Sequence, residues 1–90
     1  MWFHVREDSV EEFHQLALAL VTDADLGGPC LERAAFVSLD DPLEFVWFER
    51  WTDLASLDRY LGSEEFRGLL GGIRVLGHLD EQLIVSFSQR

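Results

Sequence analysis

Apolar and polar residues alternate from the second position. Trp2-Phe3-His4-Val5-Arg6 has the two-residue period of a strand. Ser9-Val10-Glu11-Glu12 then reads as a capping box, with the Ser9 hydroxyl available to the third helical N–H and Glu12 reaching back. It opens an apolar stripe of Val10, Phe13, Ala17 and Leu20, which predicts a helix to about Thr22. Asp25-Leu26-Gly27-Gly28-Pro29 has the residues of a turn and leads into a strand over Leu31–Leu39. Asp40-Asp41-Pro42 connects it tightly to a third strand, Glu44–Trp51, so these two are expected to form an antiparallel hairpin. Thr52 is the expected cap of a second helix carrying Leu54, Leu57, Tyr60 and Leu61 and stopped by Gly62. Ser63 restarts helical structure with Phe66, Leu69, Leu70, Ile73 and Leu76. Gly71 and Gly72 each cost about 1 kcal/mol relative to alanine inside a helix, so Ile73–Leu76 is left open between helix and a short extended piece. A last strand is predicted over Leu83–Ser88.

Strand, helix, strand, strand, helix, strand is the order of an α+β ferredoxin-like fold, a four-stranded antiparallel sheet with its helices on one face. The 90 residues are expected to be a single domain, 1–90, since a chain this short buries only roughly 60% of its unfolded surface and has material for one core.

Alternate residues of a strand point to opposite faces. Phe3, Val5, Ala35, Val37, Leu39, Val46, Phe48, Leu83, Val85 and Phe87 form a nearly pure apolar set, expected to pack under the helices. The other set is mixed: Trp2, His4 and Arg6; Ala34, Phe36 and Ser38; Phe45, Trp47, Glu49 and Trp51; Ile84, Ser86 and Ser88. It carries too much aromatic surface for water, and exposed apolar patches beyond a few hundred Å² mark interfaces or binding sites. A second copy of the sheet laid on this face would bury the aromatics around a cavity lined by His4, Arg6 and Glu49, with Arg6 or His4 pairing with Glu49.

Composition narrows the partners. A net charge of −10, with no lysine and seven arginines, offers nucleic-acid phosphates and anionic membranes nothing to attract them. No apolar run approaches the ~20 residues that span a bilayer, and the N-terminus lacks the order of a signal peptide, so a soluble, cytoplasmic protein is expected. Cys30, the one cysteine, makes no internal disulfide and reads as a small buried hydrophobe.

The chemistry-bearing residues follow from the mixed face. His4 is a candidate base, Arg6 a candidate stabiliser of an enolate or phenolate, and Glu49 either a cavity acid or a structural acid paired with arginine. Trp2, Phe36, Phe45, Trp47 and Trp51 offer flat surfaces for a planar ligand, or for packing between subunits. Tyr60 reads as core with its hydroxyl at the edge, and His14 and His78 as surface and loop residues. The spacing of histidines and carboxylates suggests no metal site, and no phosphate loop, nucleophile elbow or dinucleotide fingerprint is present.

The run Phe48-Glu49-Arg50-Trp51-Thr52-Asp53, followed by Leu57, Leu61 and Gly62-Ser63-Glu64-Glu65-Phe66, resembles the antibiotic biosynthesis monooxygenase domain family, with its E-x-W at the end of the third strand and its S-x-x-F step. Gly28-Pro29-Cys30-Leu31 is similar to the family's P-G-C before strand two, with glycine and proline exchanged. The resemblance covers essentially the whole chain. It implies a homodimer whose sheets face one another in a dimeric α/β barrel, with a small aromatic or hydrophobic ligand in the cavity. It also implies oxidation of a quinol or polycyclic aromatic by O₂ without a cofactor, or else a non-catalytic binding or interaction module. Some relatives degrade haem, but the histidine they carry on the second helix is replaced within Arg59-Tyr60-Leu61-Gly62-Ser63, and the chain has no asparagine for strand one.

Overall fold

The computed structural model describes residues 1–22 and 28–85. β1 (Trp2–Val5) is followed by a 3-10 turn (Glu7–Ser9) that runs directly into α1 (Val10–Thr22). β2 (Cys30–Val37) and β3 (Glu44–Trp51) form the hairpin, and α2 (Leu54–Leu61), α3 (Glu64–Leu76) and β4 (Gly77–Glu81) complete the order. The sheet is antiparallel throughout, ordered β2-β3-β1-β4, which is the ferredoxin-like arrangement. No helix among the described residues is long and apolar enough to cross a membrane.

Each helix start has a physical cause. Ser9 makes no capping box: it is buried at the end of the 3-10 turn, its hydroxyl donating to Asp8 and accepting from Arg6. At α2 the cap is Asp53 rather than Thr52, because the aspartate accepts from the Ser56 N–H at 2.7 Å while Thr52 donates its hydroxyl to Asp53. Ser63 caps α3 by accepting from the Phe66 N–H. α3 continues through Gly71 and Gly72 to Leu76, since Ile73 and Leu76 are buried and their packing outweighs the glycine propensity.

The core is aromatic. Phe13 of α1 sits 4.5 Å from Phe45 and 5.1 Å from Phe3 between ring centroids, with Val5, Trp47, Phe66, Leu69, Ile73 and Leu76 around them. Phe3, Phe13 and Ile73 are below 2% exposed, and burying a side chain of this size contributes about 1.5–3 kcal/mol.

Two sequence expectations are corrected. Strand parity in β1 and β2 is as expected, but in β3 it is reversed: Phe45, Trp47, Glu49 and Trp51 face the helices, and Val46 and Phe48 face away. β3 is apolar at both parities, so its alternation does not choose a face; the turn does, by pairing Phe45 with Val37 and Trp47 with Ala35. The last strand is Gly77-His78-Leu79-Asp80-Glu81, not Leu83–Ser88. Leu83, Ile84 and Val85 lie outside any strand and are exposed, and 86–88 lie outside the described residues. β4 is set by backbone contact: a Cβ on Gly77 would stand 1.8 Å from the His4 carbonyl oxygen, a position open only to glycine.

Candidate functional site

Glu49 is the acid at the centre of the aromatic segment, and its position in β3 explains its neighbours. Trp47 and Trp51 lie two residues to either side and share its face, so both indole N–H groups reach it: Trp47 Nε1 donates to Oε2 at 2.7 Å and Trp51 Nε1 to Oε1 at 3.0 Å. The Tyr60 hydroxyl of α2 donates to Oε2 at 2.8 Å. Arg33, the cross-strand partner of Glu49 on β2, brings Nε to 3.1 Å from Oε2. That N–H is not aligned on the oxygen, so this contact is one of charge and Arg33 Nε is left without a hydrogen bond.

Arg33 is itself held on three sides. Its Nη1 donates to Glu65 at 3.0 Å and to the Leu20 carbonyl at 3.4 Å, and its guanidinium lies over the Tyr60 ring at 5.5 Å. Burial works against its charge, yet Glu49, then Tyr60 and Glu65, outweigh it and hold the guanidinium above its ordinary pKa. Burial, followed by the nearby Glu49 charge, pushes the Tyr60 phenol far above its ordinary range, so Tyr60 acts as a hydrogen-bond donor and not as a base. Three neutral donors and one cation surround Glu49, so its free acceptor capacity is confined to Oε1, which accepts from Trp51 alone.

Beside this cluster runs a groove of about 1090 Å³, walled by Trp2, Phe48, Trp51, Leu57, Leu61 and Leu83 with Glu49 in its side. Its volume is of the order of a small-molecule site. Trp51 packs against Tyr60 with ring centroids 4.7 Å apart and planes tilted by 31°, which fixes the indole plane that the groove presents.

The open face of the sheet carries a second polar constellation. His4 Nδ1 lies 2.5 Å from Asp80 Oδ2 of β4, and His4 Nε2 lies 3.0 Å from Asp41 Oδ2 of the hairpin turn. The Asp80 hydrogen bond, helped by Asp41, raises the His4 pKa above its ordinary value against a smaller desolvation effect. Asp41 is held below its ordinary value, first by the Leu43 N–H that its other oxygen accepts and then by His4.

The sequence-predicted site residues therefore divide. His4 and Trp2 share the open face with Phe36, which is 55% exposed. Phe45 and Trp47 are 3% exposed core residues, and Trp51 and Glu49 lie between core and groove. The expected pairing of Glu49 with Arg6 or His4 is corrected: Arg6 reaches out from the end of β1 to Asp8 at 3.7 Å and to Ser9, and the arginine at Glu49 is Arg33. Arg33, Glu65, Asp41 and Asp80 were not singled out by sequence, although hairpin register alone places Arg33 opposite Glu49 once the turn is fixed, and His78, expected at the surface or in a loop, is an exposed residue of β4.

A chain with this sheet order and with an acid set between two tryptophans at the end of β3 defines an α+β domain of the ferredoxin-like class. Residues 2–70 match the family model for antibiotic biosynthesis monooxygenase, and the chain belongs to that family. Its fold is similar to the crystal structure of an antibiotic biosynthesis monooxygenase at 25% identity and a TM-score of 0.79, covering 99% of this chain and 94% of that one. A protein from Mycobacterium tuberculosis has the same fold at 22% identity and a TM-score of 0.71, covering 97% and 93%. A conserved protein from Methanosarcina mazei has it at 22% identity and a TM-score of 0.74, covering 88% and 78%. No curated protein matches the sequence.

Proposed function

We propose that the protein is a homodimeric, cofactor-independent monooxygenase acting on an electron-rich planar aromatic such as a quinol or anthrone. The observation that carries this reading is the groove, whose Trp2, Phe48 and Trp51 surfaces suit a flat ring system. Membership of the monooxygenase family supports it. In an anthrone-type reaction a ring CH₂ loses a proton and the carbanion reduces O₂; overall CH₂ and O₂ become C=O and H₂O, the substrate supplying all four electrons. His4 is the group we assign to take the proton: Asp41 and Asp80, which contact its two ring nitrogens, would stabilise the imidazolium, and Asp80 must move aside for Nδ1 to reach a substrate. His4 lies two residues along β1 from Trp2 on the same face, and a second subunit laid on that face would enclose it beside the groove. Arg6, at the end of β1, is the candidate partner for the resulting anion.

One observation favours a second reading, a dimer that binds a small hydrophobic ligand without transforming it. Both carboxylates among the described residues of the groove wall have structural partners: Glu49 takes three hydrogen bonds and faces Arg33, and Asp53 caps α2.

Oxygen uptake over a panel of quinols and anthrones decides between them. Uptake that is lost in His4→Ala but kept in Arg59→Ala supports the monooxygenase. Ligand binding by fluorescence quenching of the tryptophans without uptake above buffer supports the binding module.

A further inference from the structure

We propose that His4, His78 and Asp80 form a binding site for a divalent transition metal of the zinc class on the open face of the sheet. The sheet register assembles it. His4 and His78 are Cα partners across β1 and β4, and their rings stack at 5.4 Å. Asp80 follows two residues after His78 and so returns to the same face. Its carboxylate lies between the rings, Oδ2 at 2.5 Å from His4 Nδ1 and Oδ1 at 3.0 Å from His78 Nε2. One ligand atom from each of the three residues falls within 4.8 Å of the others.

Zinc bonds to histidine nitrogen and carboxylate oxygen are about 2.0–2.2 Å, which places tetrahedral ligand atoms about 3.3 Å apart. The two separations from Asp80, 2.5 and 3.0 Å, are shorter than this, so the carboxylate must swing outward to admit the ion. Side-chain exposures of 33% for His4, 69% for His78 and 32% for Asp80 leave room for this movement. Two imidazoles and one carboxylate with an open fourth position suit zinc, nickel or copper far better than magnesium or calcium.

The outer contact strengthens the assignment. A metal-bound histidine donates its other ring N–H to a carboxylate, which fixes its tautomer. Asp41 stands in that place, 3.0 Å from His4 Nε2, and is itself held by the Leu43 N–H. In the metal-free site Nδ1–H donates to Asp80; an ion would displace that proton, and Asp41 would hold the remaining one on Nε2, freeing the Nδ1 lone pair for the ion. The chain's net charge of −10 adds a field that favours a cation. The sequence hides this set because His4 and Asp80 are 76 residues apart and meet only through the β1–β4 register.

The site does not depend on any chemistry in the groove. It does exclude one role at a time: an imidazole that holds zinc through Nδ1 cannot also take a proton there.

Isothermal titration calorimetry of the full chain with zinc chloride in a non-chelating buffer tests the site. One ion per chain is expected, with micromolar affinity, weakened by at least about tenfold in His78→Ala and in Asp80→Asn and unchanged in His14→Ala. Cobalt(II) gives an independent readout, a visible d–d band that both variants lose. Circular dichroism establishes that the variants are folded, and His78 is exposed enough for its replacement to leave the core intact. Absence of zinc heat in the wild type at submillimolar metal overturns the proposal. So does equal affinity in folded His78→Ala, or equal heat with magnesium.

Discussion

Arg33 and Glu49 face each other across the β2–β3 hairpin with side chains only 6% and 9% exposed, and the carboxylate also takes hydrogen bonds from Trp47, Trp51 and Tyr60. One acid thus ties β2, β3 and α2 together. The arrangement makes Glu49 a structural centre on the helix side of the sheet, with the groove along one flank.

Removing that acid should be costly. Glu49→Ala leaves a buried guanidinium with only the half-exposed Glu65 as a charged partner, and strands three donors. Breaking a buried pair in this way costs about 3–5 kcal/mol. Glu49→Gln keeps an acceptor and should lose less. A Glu49→Leu/Arg33→Met double variant should recover much of the loss, because an absent pair carries no desolvation penalty. Arg6→Met should melt with the wild type, since Arg6 is 55% exposed and its partner Asp8 is 87% exposed. Thermal melts of the five proteins suffice, and a Glu49→Ala variant melting like the wild type would sink this reading.

Gly77 should tolerate no side chain. The Cβ of Gly77→Ala would lie 1.8 Å from the His4 oxygen and 2.8 Å from the Val5 Cα, both backbone, so β4 must separate from β1 to accommodate it. Gly28→Ala, at a position with open space, is the control. Soluble yield and melting temperature should fall for Gly77→Ala alone; equal melts for both variants would show that β4 is not held where we describe it.

Acid should weaken the start of α2. The Ser56 N–H, then the Thr52 and Ser56 hydroxyls, hold the Asp53 carboxyl below its ordinary value of 3.8. A folded-state pKa that is depressed contributes stability that is present above the unfolded value and is lost as pH falls through the folded one. Asparagine caps a helix about as well as aspartate but does not titrate. Wild type should therefore lose its margin over Asp53→Asn only below about pH 4. Parallel pH profiles for the two proteins would contradict the assignment of Asp53 as the cap.

Most of the fold could be read from periodicity. The hairpin, its Asp40-Asp41-Pro42 turn, β3 and the Ser63 cap fall where the residues place them. What could not be read was decided by tertiary pairing. In β3, Phe45, Val46, Trp47 and Phe48 give no alternation, so the facing of Glu49 rested on the turn register and not on the strand itself. In β4 only Leu79 points inward, and the more apolar Leu83-Ile84-Val85 drew the prediction away from Gly77–Glu81. The site inherits both effects. Glu49 was identifiable as an unusual acid, while Arg33 as its partner required the register. Asp41 as a neighbour of His4 required the β1–β3 pairing, and Asp80 required β4 in its true place.

The open face of the sheet gives the last prediction. Phe36 and Phe48 are 55% and 40% exposed there, with Val46 and then Trp2 beside them, and Leu83, Ile84 and Val85 project nearby at 50% or more. A lone chain would present this apolar surface to water, which monomeric proteins of this size avoid. If the second occupant is another copy, Phe48→Glu puts a charge at the centre of the covered face on both subunits at once. The core should not notice, because Phe48 points away from the helices. Light scattering should therefore report a dimer for the wild type and a folded monomer for Phe48→Glu, with an unchanged far-ultraviolet spectrum. A wild-type chain that is monomeric at micromolar concentration would remove the dimer, and with it the enclosed placement of His4 on which the monooxygenase reading relies.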